Sequence, residues 1–420
     1  MGENSLTTIL SPSINCKRVN STIAAVMAAA LMCVNIASAD EVKPPEPRFK
    51  IYGWLEGGFT TNADSPNDDR NFGHLFTDRS NQPLLNQAVI TGERLLVPQP
   101  GEFDWGMKFQ FMYGSDARFI HSLGLLSNTT DDRAQPDIVE AYLNLHFPIF
   151  TEGGLDVRAG KFVTLEGAET IDPRSNVFYS HSYIFNFGIP FNHSGGLATL
   201  HATPWLDVMV GITRGVNTSL DDNNNSLAFH GGFGLTLLGG KVVSFASTHI
   251  GPENPRDNHN YRYLSDITTT WKISDTFTSI TDLNYIYEES VDARGYGIAQ
   301  YFTYAYSDWL IPAIRFEVWR DEKGFFVAQF GANNDFIRIE RGDLFTPSPR
   351  TVGGGSTTYG AITAGVTIKP ATPQLLNGVL TGIMVRPELR YDRSLNDTRP
   401  FNDSAEKDQF TASVDVILQF

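Results

Sequence analysis

Alternation of apolar and polar residues with a period of two constrains the fold of this chain more than any other feature. It is clearest in the last twelve residues and returns around residues 103–113, 206–213 and 362–369. The apolar set of the terminal segment is Phe410, Ala412, Val414, Val416, Leu418 and Phe420. In residues 139–147 it is Val139, Ala141, Leu143, Leu145 and Phe147. Since successive side chains of a strand point to opposite faces, each segment is predicted to be a two-sided β-strand.

The connections between these segments fall into two kinds that alternate along the chain. Seven short ones carry turn residues, near 98–101, 148–153, 202–204, 238–240, 274–276, 307–308 and 370–377. Eight longer polar ones lie near 61–84, 114–137, 163–192, 215–226, 250–260, 288–295, 321–357 and 394–408. Fifteen connections predict about 16 strands, within a range of about 14–18.

The length of the segments and the order of the connections favour closure into a barrel. Segments of 9–13 residues exceed the roughly 5–6 residues that are common in soluble sheets. In lipid, an unpaired sheet edge would leave backbone groups unsatisfied at several kcal/mol each, so a spanning sheet must close. We therefore expect an all-β, closed antiparallel transmembrane barrel with short periplasmic turns and long extracellular loops. A barrel of this size encloses an aqueous channel.

The average composition of the chain, taken alone, is typical of a soluble protein. The 420 residues are 41% hydrophobic, with a mean hydropathy of −0.19. After the N-terminal region no apolar run of about 18 residues follows, which excludes a helical membrane protein. A soluble β-sandwich is the remaining alternative to the barrel, and cell fractionation would distinguish them.

The first 39 residues are predicted to be a secretory signal peptide. Lys17 and Arg18 precede an apolar stretch at 23–34, and a small-residue cleavage signal at 37–39 places the cut after Ala39. A Pro-rich linker at 40–48 follows, and the barrel domain spans 49–420. Both cysteines lie in the removed segment, and the net charge changes from −15 to −16 because two bases and one acid are lost. That charge argues against nucleic-acid binding.

Charged residues recur on the polar faces of the predicted strands. Arg or Lys on the lipid face would cost about 2–4 kcal/mol near mid-membrane, so these residues are expected to line the pore. The predicted pore-lining residues are Lys108, Glu140, Asp156, Arg158, Arg315, Glu317, Arg386, Glu388, Arg390 and Asp392. They would either set a transverse field that sorts permeants or form cross-strand ion pairs that stiffen the wall.

The third long connection, at about 163–191, combines charges with aromatic rings. Its charged residues are Glu166, Glu169, Asp172 and Arg174, and its rings are Phe178, Tyr179, Tyr183, Phe185 and Phe187. Because such rings are poorly suited to a free surface loop, we expect the segment to fold inward as a constriction loop. An extracellular lid and a subunit contact are the alternatives.

Four tryptophans lie close to short turns and predict a periplasmic aromatic girdle: Trp105, Trp205, Trp271 and Trp309. Their position favours the short turns as the periplasmic side. In a soluble sandwich the same residues would only mark strand ends.

Several segments together resemble the β-barrel porins of the OmpL-like type. They are YGWLEGGF at 52–59, RAGKFVTLEGAE at 158–169, NFGIPFNHSGG at 186–196, RPELRYD at 386–392 and the terminal strand ending in DVILQF. The resemblance covers the chain after the signal peptide and implies an outer-membrane channel of a Gram-negative-type envelope. Phe420 resembles the signal that the outer-membrane assembly machinery reads.

Motifs of catalysis or metal binding are absent from the sequence, so no enzyme activity, catalytic residue, metal or cofactor is predicted. His181 and His193 flank the third connection, but such a pair does not define a ligand set. Residues 221–225 have a Ca²⁺-compatible composition without an EF-hand pattern, and a solvated loop is expected there.

The sequence thus predicts a porin in outer-membrane lipid that passes small hydrophilic solutes or ions by diffusion. A substrate-specific channel, for example for sugars along the aromatic residues of the third connection, is one alternative. A structural or adhesive barrel without transport is another. Either a homotrimer or a monomer is compatible with sixteen strands.

Overall fold

A computed structural model describes residues 48–328, 333, 335–343, 355–372 and 378–420. The predicted signal peptide and residues 40–47 of the linker lie outside these residues. Within this part of the chain, no helix has the length and apolar character needed to cross a membrane.

Sixteen antiparallel strands form one sheet that closes on itself, which confirms the predicted fold class and strand number. The strands are Phe49–Asn62 (β1), Gln82–Arg94 (β2), Asp104–Gly114 (β3), Gln135–Phe147 (β4), Leu155–Val163 (β5), Asn192–Thr203 (β6), Leu206–Thr213 (β7), Ala228–Leu237 (β8), Val242–Gly251 (β9), Arg262–Lys272 (β10), Phe277–Glu288 (β11), Ala293–Tyr304 (β12), Leu310–Asp321 (β13), Thr357–Ile368 (β14), Gly382–Ser394 (β15) and Asp408–Gln419 (β16). Each strand pairs with its neighbours in sequence.

The first and last strands close the barrel. Their register runs from Trp54 opposite Gln419 to Asn62 opposite Thr411. Gly53 and Phe420 extend this ladder, because the backbone N–H of each donates to the carbonyl of the other at 2.9 and 3.0 Å. Closure therefore leaves no free sheet edge to satisfy in lipid.

The apolar face of the strands forms a belt around the outside. Representative belt residues with 38–55% of their surface exposed are Phe59, Ile90, Phe109, Leu143, Val210, Phe233, Ile267, Phe316, Leu389 and Val414. So many exposed large apolar side chains on every part of the barrel suit a hydrocarbon environment.

Val139 does not belong to this belt, so its assignment to the apolar outer face is wrong. The β3–β4 register shifts at a bulge, where Gln110 pairs with Glu140 and Phe111 pairs with Ile138. The extra residue is Val139, which is 0% exposed. A bulge interrupts the period of two, so the side chain of Val139 points inward to the core instead of outward.

The connections agree with the predicted alternation of two sides, with one difference in length. The sequence predicts a long extracellular connection at 288–295, but only residues 289–292 lie between β11 and β12. They form a single 3₁₀ turn, Glu289–Val291, which is shorter than the β2–β3 turn on the opposite side. Short helices lie in three other long connections, at Ala117–Ile120, Phe336–Glu340 and Phe401–Ser404.

The hydrophobic core lies inside the barrel. It is built mainly from segments that connect strands on the long-loop side, together with inward-facing rings of the wall. Phe76 of the first long connection packs on Phe119 of the second, with ring centres 5.4 Å apart, and on Phe191 of the third, at 5.6 Å. Three consecutive loops therefore enter the lumen and pack against one another.

Candidate functional site: the lumen loop and its anchors

Residues 164–191, between β5 and β6, cross the interior of the barrel and are called the lumen loop below. The loop contains a 3₁₀ turn at Pro173–Ser175 and a π-helical turn at Ile184–Gly188. It bonds to inward-facing side chains on widely separated strands. Gln87 of β2 donates to the Ile171 carbonyl at 2.8 Å, and Asn284 of β11 donates to that of Gly188 at 3.1 Å. A segment held by both sides of the wall must span the lumen.

Arg315 of β13 holds the centre of the lumen loop. Its Nη1 donates to Glu169 Oε1 at 2.7 Å and to the Ser180 carbonyl at 2.8 Å. Its Nε lies 3.2 Å from Glu317 Oε1, and Glu317 Oε2 accepts the backbone N–H of Tyr183 at 2.7 Å. Strand β13 therefore binds the loop through two inward-facing side chains, the cation of Arg315 and the anion of Glu317.

Strand β15 continues the same pattern. Glu388 accepts the backbone N–H groups of Tyr179, at 2.9 Å, and Ser180, at 3.1 Å. Arg390 donates to the carbonyl of His181 at 2.6 Å and pairs with Asp392 at 2.7 Å. Charge-assisted bonds of this kind are stronger than neutral ones and fix direction as well as distance.

Arg386, also on β15, holds the 3₁₀ turn of the loop. Its Nη1 donates to the carbonyls of Pro173 and Asn176, at 2.8 and 2.9 Å. Its other nitrogens pair with Asp415 of β16 and Glu56 of β1, at 2.5 and 3.3 Å. A single buried guanidinium thus joins the wall to the loop.

Two further acidic anchors were missed by sequence reasoning. Asp266 of β10 accepts the Gly167 N–H at 3.0 Å, and Asp282 of β11 accepts the Ala168 N–H at 2.9 Å. Both side chains occupy inward positions of their strands and are 1% exposed. The period-two pattern of residues 262–272 and 277–288 could have indicated their inward position, because it places each carboxylate on the polar face of its strand.

The charge of Glu169 is maintained inside the packed lumen. Burial by itself raises the pKa of this carboxyl. The Arg315 guanidinium, together with His181 and the Ser182 N–H, outweighs burial and holds the pKa at about 2. The loop anchor is therefore ionic over the whole physiological pH range.

The remaining predicted wall residues also face inward, and each has a partner in the wall. Lys108 forms an ion pair with Glu140 across β3 and β4. Asp156 accepts from His146 at 2.7 Å, and the Arg158 guanidinium lies 4.6 Å from the centre of the Tyr142 ring. The predicted wall charges are therefore not free water-facing groups: the β13 and β15 set binds the loop, and this set forms contacts within the wall.

The last two charged residues predicted for the loop form a pair of their own. Arg174 donates to Asp172 at 2.6 Å. The same guanidinium lies 4.0 Å from the centre of the Trp54 ring, on the inner face of β1. A cation–π contact of this kind adds to the fixation of the 3₁₀ turn.

The aromatic residues of the lumen loop are packed rather than exposed. Tyr183 stacks on Tyr359 of β14 at 4.8 Å, and Phe185 packs on Phe191 at 5.2 Å. Phe178 is 2% exposed. Rings that lie in a closed cluster do not present the continuous surface that a sugar slide requires, so this arrangement does not favour that alternative.

All four tryptophans predicted for the girdle lie near the short-turn end of the barrel and are 37–52% exposed: Trp105, Trp205, Trp271 and Trp309. The other two, Trp54 and Trp319, are buried in the lumen. The ring of Phe420 lies against Gly53, where an added Cβ would come within 2.7 Å of it.

A cavity of about 260 Å³ lies between the lumen loop and the long-loop side of the barrel. Its lining includes Phe187, Glu253, Arg262, Phe336 and Glu340. The cavity combines aromatic walls with two carboxyl groups and one guanidinium.

The pH should control how firmly residues 335–343 are held over this cavity. Burial raises the pKa of Glu340 from 4.5 to about 8, against an opposing effect of Arg262. Because the folded state holds this proton more tightly, the stability of the docked segment should fall as pH rises from about 4.5 to about 8. Hydrogen exchange of amides 335–343, corrected for the intrinsic rate, should show more frequent opening at about pH 9 than at about pH 5. Glu340→Gln should reduce the difference, with the remainder due to Glu253, whose pKa burial raises to about 7 in the same cavity. An unchanged pH dependence in that variant would contradict the assignment.

A closed sixteen-stranded barrel with an apolar outer belt and a loop folded into its lumen has the architecture of porins. Residues 48–420 match the family described as "Putative beta-barrel porin-2, OmpL-like", and the chain belongs to that family. It is therefore an outer-membrane channel protein, as the sequence predicted.

Solved structures share this fold at low sequence identity. The anion-selective porin from Comamonas acidovorans has a TM-score of 0.56 and 7% identity, over 89% of this chain and 99% of that one. OmpF of Salmonella typhi, in complex with daunomycin, has a TM-score of 0.54 and 11% identity, over 89% and 97%. The outer-membrane channel DcaP of Acinetobacter baumannii has a TM-score of 0.52 and 12% identity, over 89% of this chain and 97% of that one. No curated protein matches this chain.

Proposed function

We propose that the protein forms a water-filled channel for small hydrophilic solutes or ions, with the lumen loop as its constriction. The observation that carries this proposal is that residues 164–191 cross the lumen and bond to charged wall residues on separate sides. Anchors of both signs, such as Arg315 and Glu388, suit a loop that narrows a pore without closing it by a purely apolar plug. Single-channel recording of purified protein in planar bilayers tests the proposal.

Two assays separate this function from the alternatives. Liposome swelling with a panel of sugars and amino acids should show rates that depend on solute size rather than on identity. Saturable uptake of one sugar would instead support a substrate-specific channel. Well-folded protein without conductance would support a structural or adhesive barrel and contradict the proposal.

We predict that the channel prefers cations. The net charge of the chain is negative, at −15 for the full sequence. A lumen with excess negative charge lowers the energy of a cation in the pore relative to an anion. Reversal potentials under a KCl gradient should report K⁺ selectivity, and clear Cl⁻ selectivity would contradict this prediction.

Assembly in the membrane completes the proposal. Cleavage after Ala39 would produce a chain that begins with a Pro-rich segment ahead of β1. The exposed tryptophans near the short turns support a girdle at the periplasmic interface. Phe420, at the end of the closing strand, is proposed as the residue read by the assembly machinery. A homotrimer is a further proposal that cross-linking in native membranes tests.

A further inference from the structure

Three histidines from different strands converge inside the barrel, next to the start of the lumen loop. His193 lies on β6, His230 on β8 and His249 on β9, each close to the long-loop end of its strand. The ring centres of His193 lie 4.3 Å from His230 and 4.7 Å from His249. All three side chains are 0% exposed. Register explains part of the cluster, because His230 and His249 are direct partners in the β8–β9 ladder.

Two carboxyl groups complete the cluster. Glu166, in the first turn of the lumen loop, has Oε2 4.0 Å from His193 Nε2 and Oε1 3.6 Å from His230 Nδ1. Glu253, just after β9, has Oε1 3.5 Å from His249 Nδ1. These carboxyl side chains are also almost fully buried.

Several polar atoms of the cluster lack hydrogen bonds although they are buried. They are Oε1 of Glu166, both ring nitrogens of His230, Nδ1 of His249 and Oε1 of Glu253. A buried polar group without a partner costs free energy, and groups of this kind are rare in folded proteins. Here they face one another as two carboxyl–imidazole pairs, Glu166 with His230 and Glu253 with His249, and the first of these pairs has the arrangement expected of ligands that share a cation.

The tautomer of His193 also suits a ligand of a bound cation. Its Nδ1 lies 3.2 Å from the carbonyl of Gly215, which can only accept, so Nδ1 carries the proton. Its Nε2 lone pair faces the Thr164 hydroxyl at 3.2 Å, but that hydroxyl donates to Glu166. A ring nitrogen without a donor, held in place by a backbone carbonyl at the other nitrogen, is typical of a metal-ligating histidine.

We propose that Glu166, His193 and His230 bind a divalent transition-metal cation, with His249 and Glu253 beside it. One ligand atom from each of the three residues lies within 4.8 Å of the others. Imidazole and carboxylate are the ligands that Zn²⁺ and related cations prefer. The two carboxylates can balance the double positive charge in this buried position. The bound cation would join the stem of the lumen loop to β6 and β8, whichever solute the channel passes.

The cluster adjoins the cavity on the long-loop side through one residue. Glu253 contributes both to the cluster and to the lining of the 260 Å³ cavity. Glu340 lines the same cavity. Carboxyl groups at the cavity would attract a divalent cation towards the imidazoles.

The test is metal binding by purified, folded full-length protein that carries no polyhistidine tag. Titration with Co²⁺ should give visible d–d absorption bands that saturate at one equivalent, and Zn²⁺ should displace the Co²⁺ and raise the melting temperature. The double variant His193→Asn/His230→Gln should lose the bands and the thermal shift. His259→Ala, which removes an exposed loop histidine, is the control and should behave as wild type.

A second measurement does not depend on the folding of the double variant. X-ray absorption at the Zn edge identifies the ligands of Zn²⁺ bound to the wild-type protein. The expected spectrum shows two or more imidazole ligands with oxygen. Weak binding without imidazole scattering, or unchanged stoichiometric binding in a folded double variant, would overturn the proposal. Neither outcome depends on conductance, so a failure here and a failure of the proposed channel function can be told apart.

Discussion

Arg315→Ala should release the lumen loop and raise the unitary conductance several-fold. The guanidinium is 0% exposed and bonds to Glu169, to Glu317 and to the Ser180 carbonyl. Its removal takes the guanidinium away from Glu169, whereas Glu317 keeps Arg390 at 3.3 Å, and breaking a buried pair in this way costs roughly 3–5 kcal/mol. Single-channel recording measures the effect. Trypsin cleavage after Arg174, which the docked loop protects, reports release independently.

The matched control is Arg320→Ala, on the same strand but on its outer face. Arg320 donates to Thr358 and Ser356 near the rim, at 3.1 and 2.6 Å, and touches no part of the lumen loop. Its conductance and cleavage should equal those of the wild type. The conductance of Arg315→Lys should lie between those of the wild type and Arg315→Ala. An ammonium group keeps the positive charge but cannot reproduce the planar guanidinium with its several N–H donors. Wild-type conductance in a folded Arg315→Ala barrel would show that the loop does not limit flow.

Gly58→Val should displace the lumen loop from β1 and also raise the conductance. A Cβ at Gly58 would lie 2.3 Å from the Tyr179 ring, which packs directly on the backbone of β1. Moving this ring breaks the bond from its hydroxyl to Asn86 Oδ1, at 2.8 Å. It also strains the nearby Glu388 anchor. Overpacking of this kind costs about 1–3 kcal/mol, so the expected effect is smaller than that of Arg315→Ala.

A second-site change distinguishes steric displacement from misfolding. Tyr179→Ala removes the ring, so the double variant Gly58→Val/Tyr179→Ala should have a conductance closer to wild type than Gly58→Val alone. Gly92→Val, on the outer face of β2 where an added Cβ meets nothing within 4 Å, is the control for a β-branched residue in a strand. Failure of Tyr179→Ala to reduce the effect would contradict the steric explanation.

The alternation of residues was sufficient to predict the barrel, its strand number and the inward position of the wall charges. Each strand carries its own two-face pattern, so no knowledge of its neighbours is needed to read it. The pattern failed at Val139, where the bulge adds one residue and reverses the faces. A register shift depends on the partner strand, and one strand alone does not show it.

The anchors of the lumen loop could be predicted only in part. Glu166, Glu169 and the aromatic residues were visible because an apolar, charged segment is unusual between strands. Their partners on the wall were not, because Glu388 bonds to a loop residue 209 positions away in sequence. Asp266 and Asp282 had the correct face but no signal of a backbone partner.

The histidine cluster had no signature in the sequence. His193, His230 and His249 are separated by intervals that match no known ligand spacing, and each looks like an isolated residue of a strand. Closure of the barrel and the register of β8 with β9 bring them together. Their approach is a property of the sheet and not of any one segment.

The sequence by itself determined that this chain forms a closed sixteen-stranded barrel with an apolar outer belt, because the period of two is a local property of each strand. Only the tertiary structure decided which wall residue meets which atom of the lumen loop, and that the inward charges of β13 and β15 hold the loop in place. Those contacts arise between residues far apart in sequence, and they form once closure sets the register and curvature of the sheet.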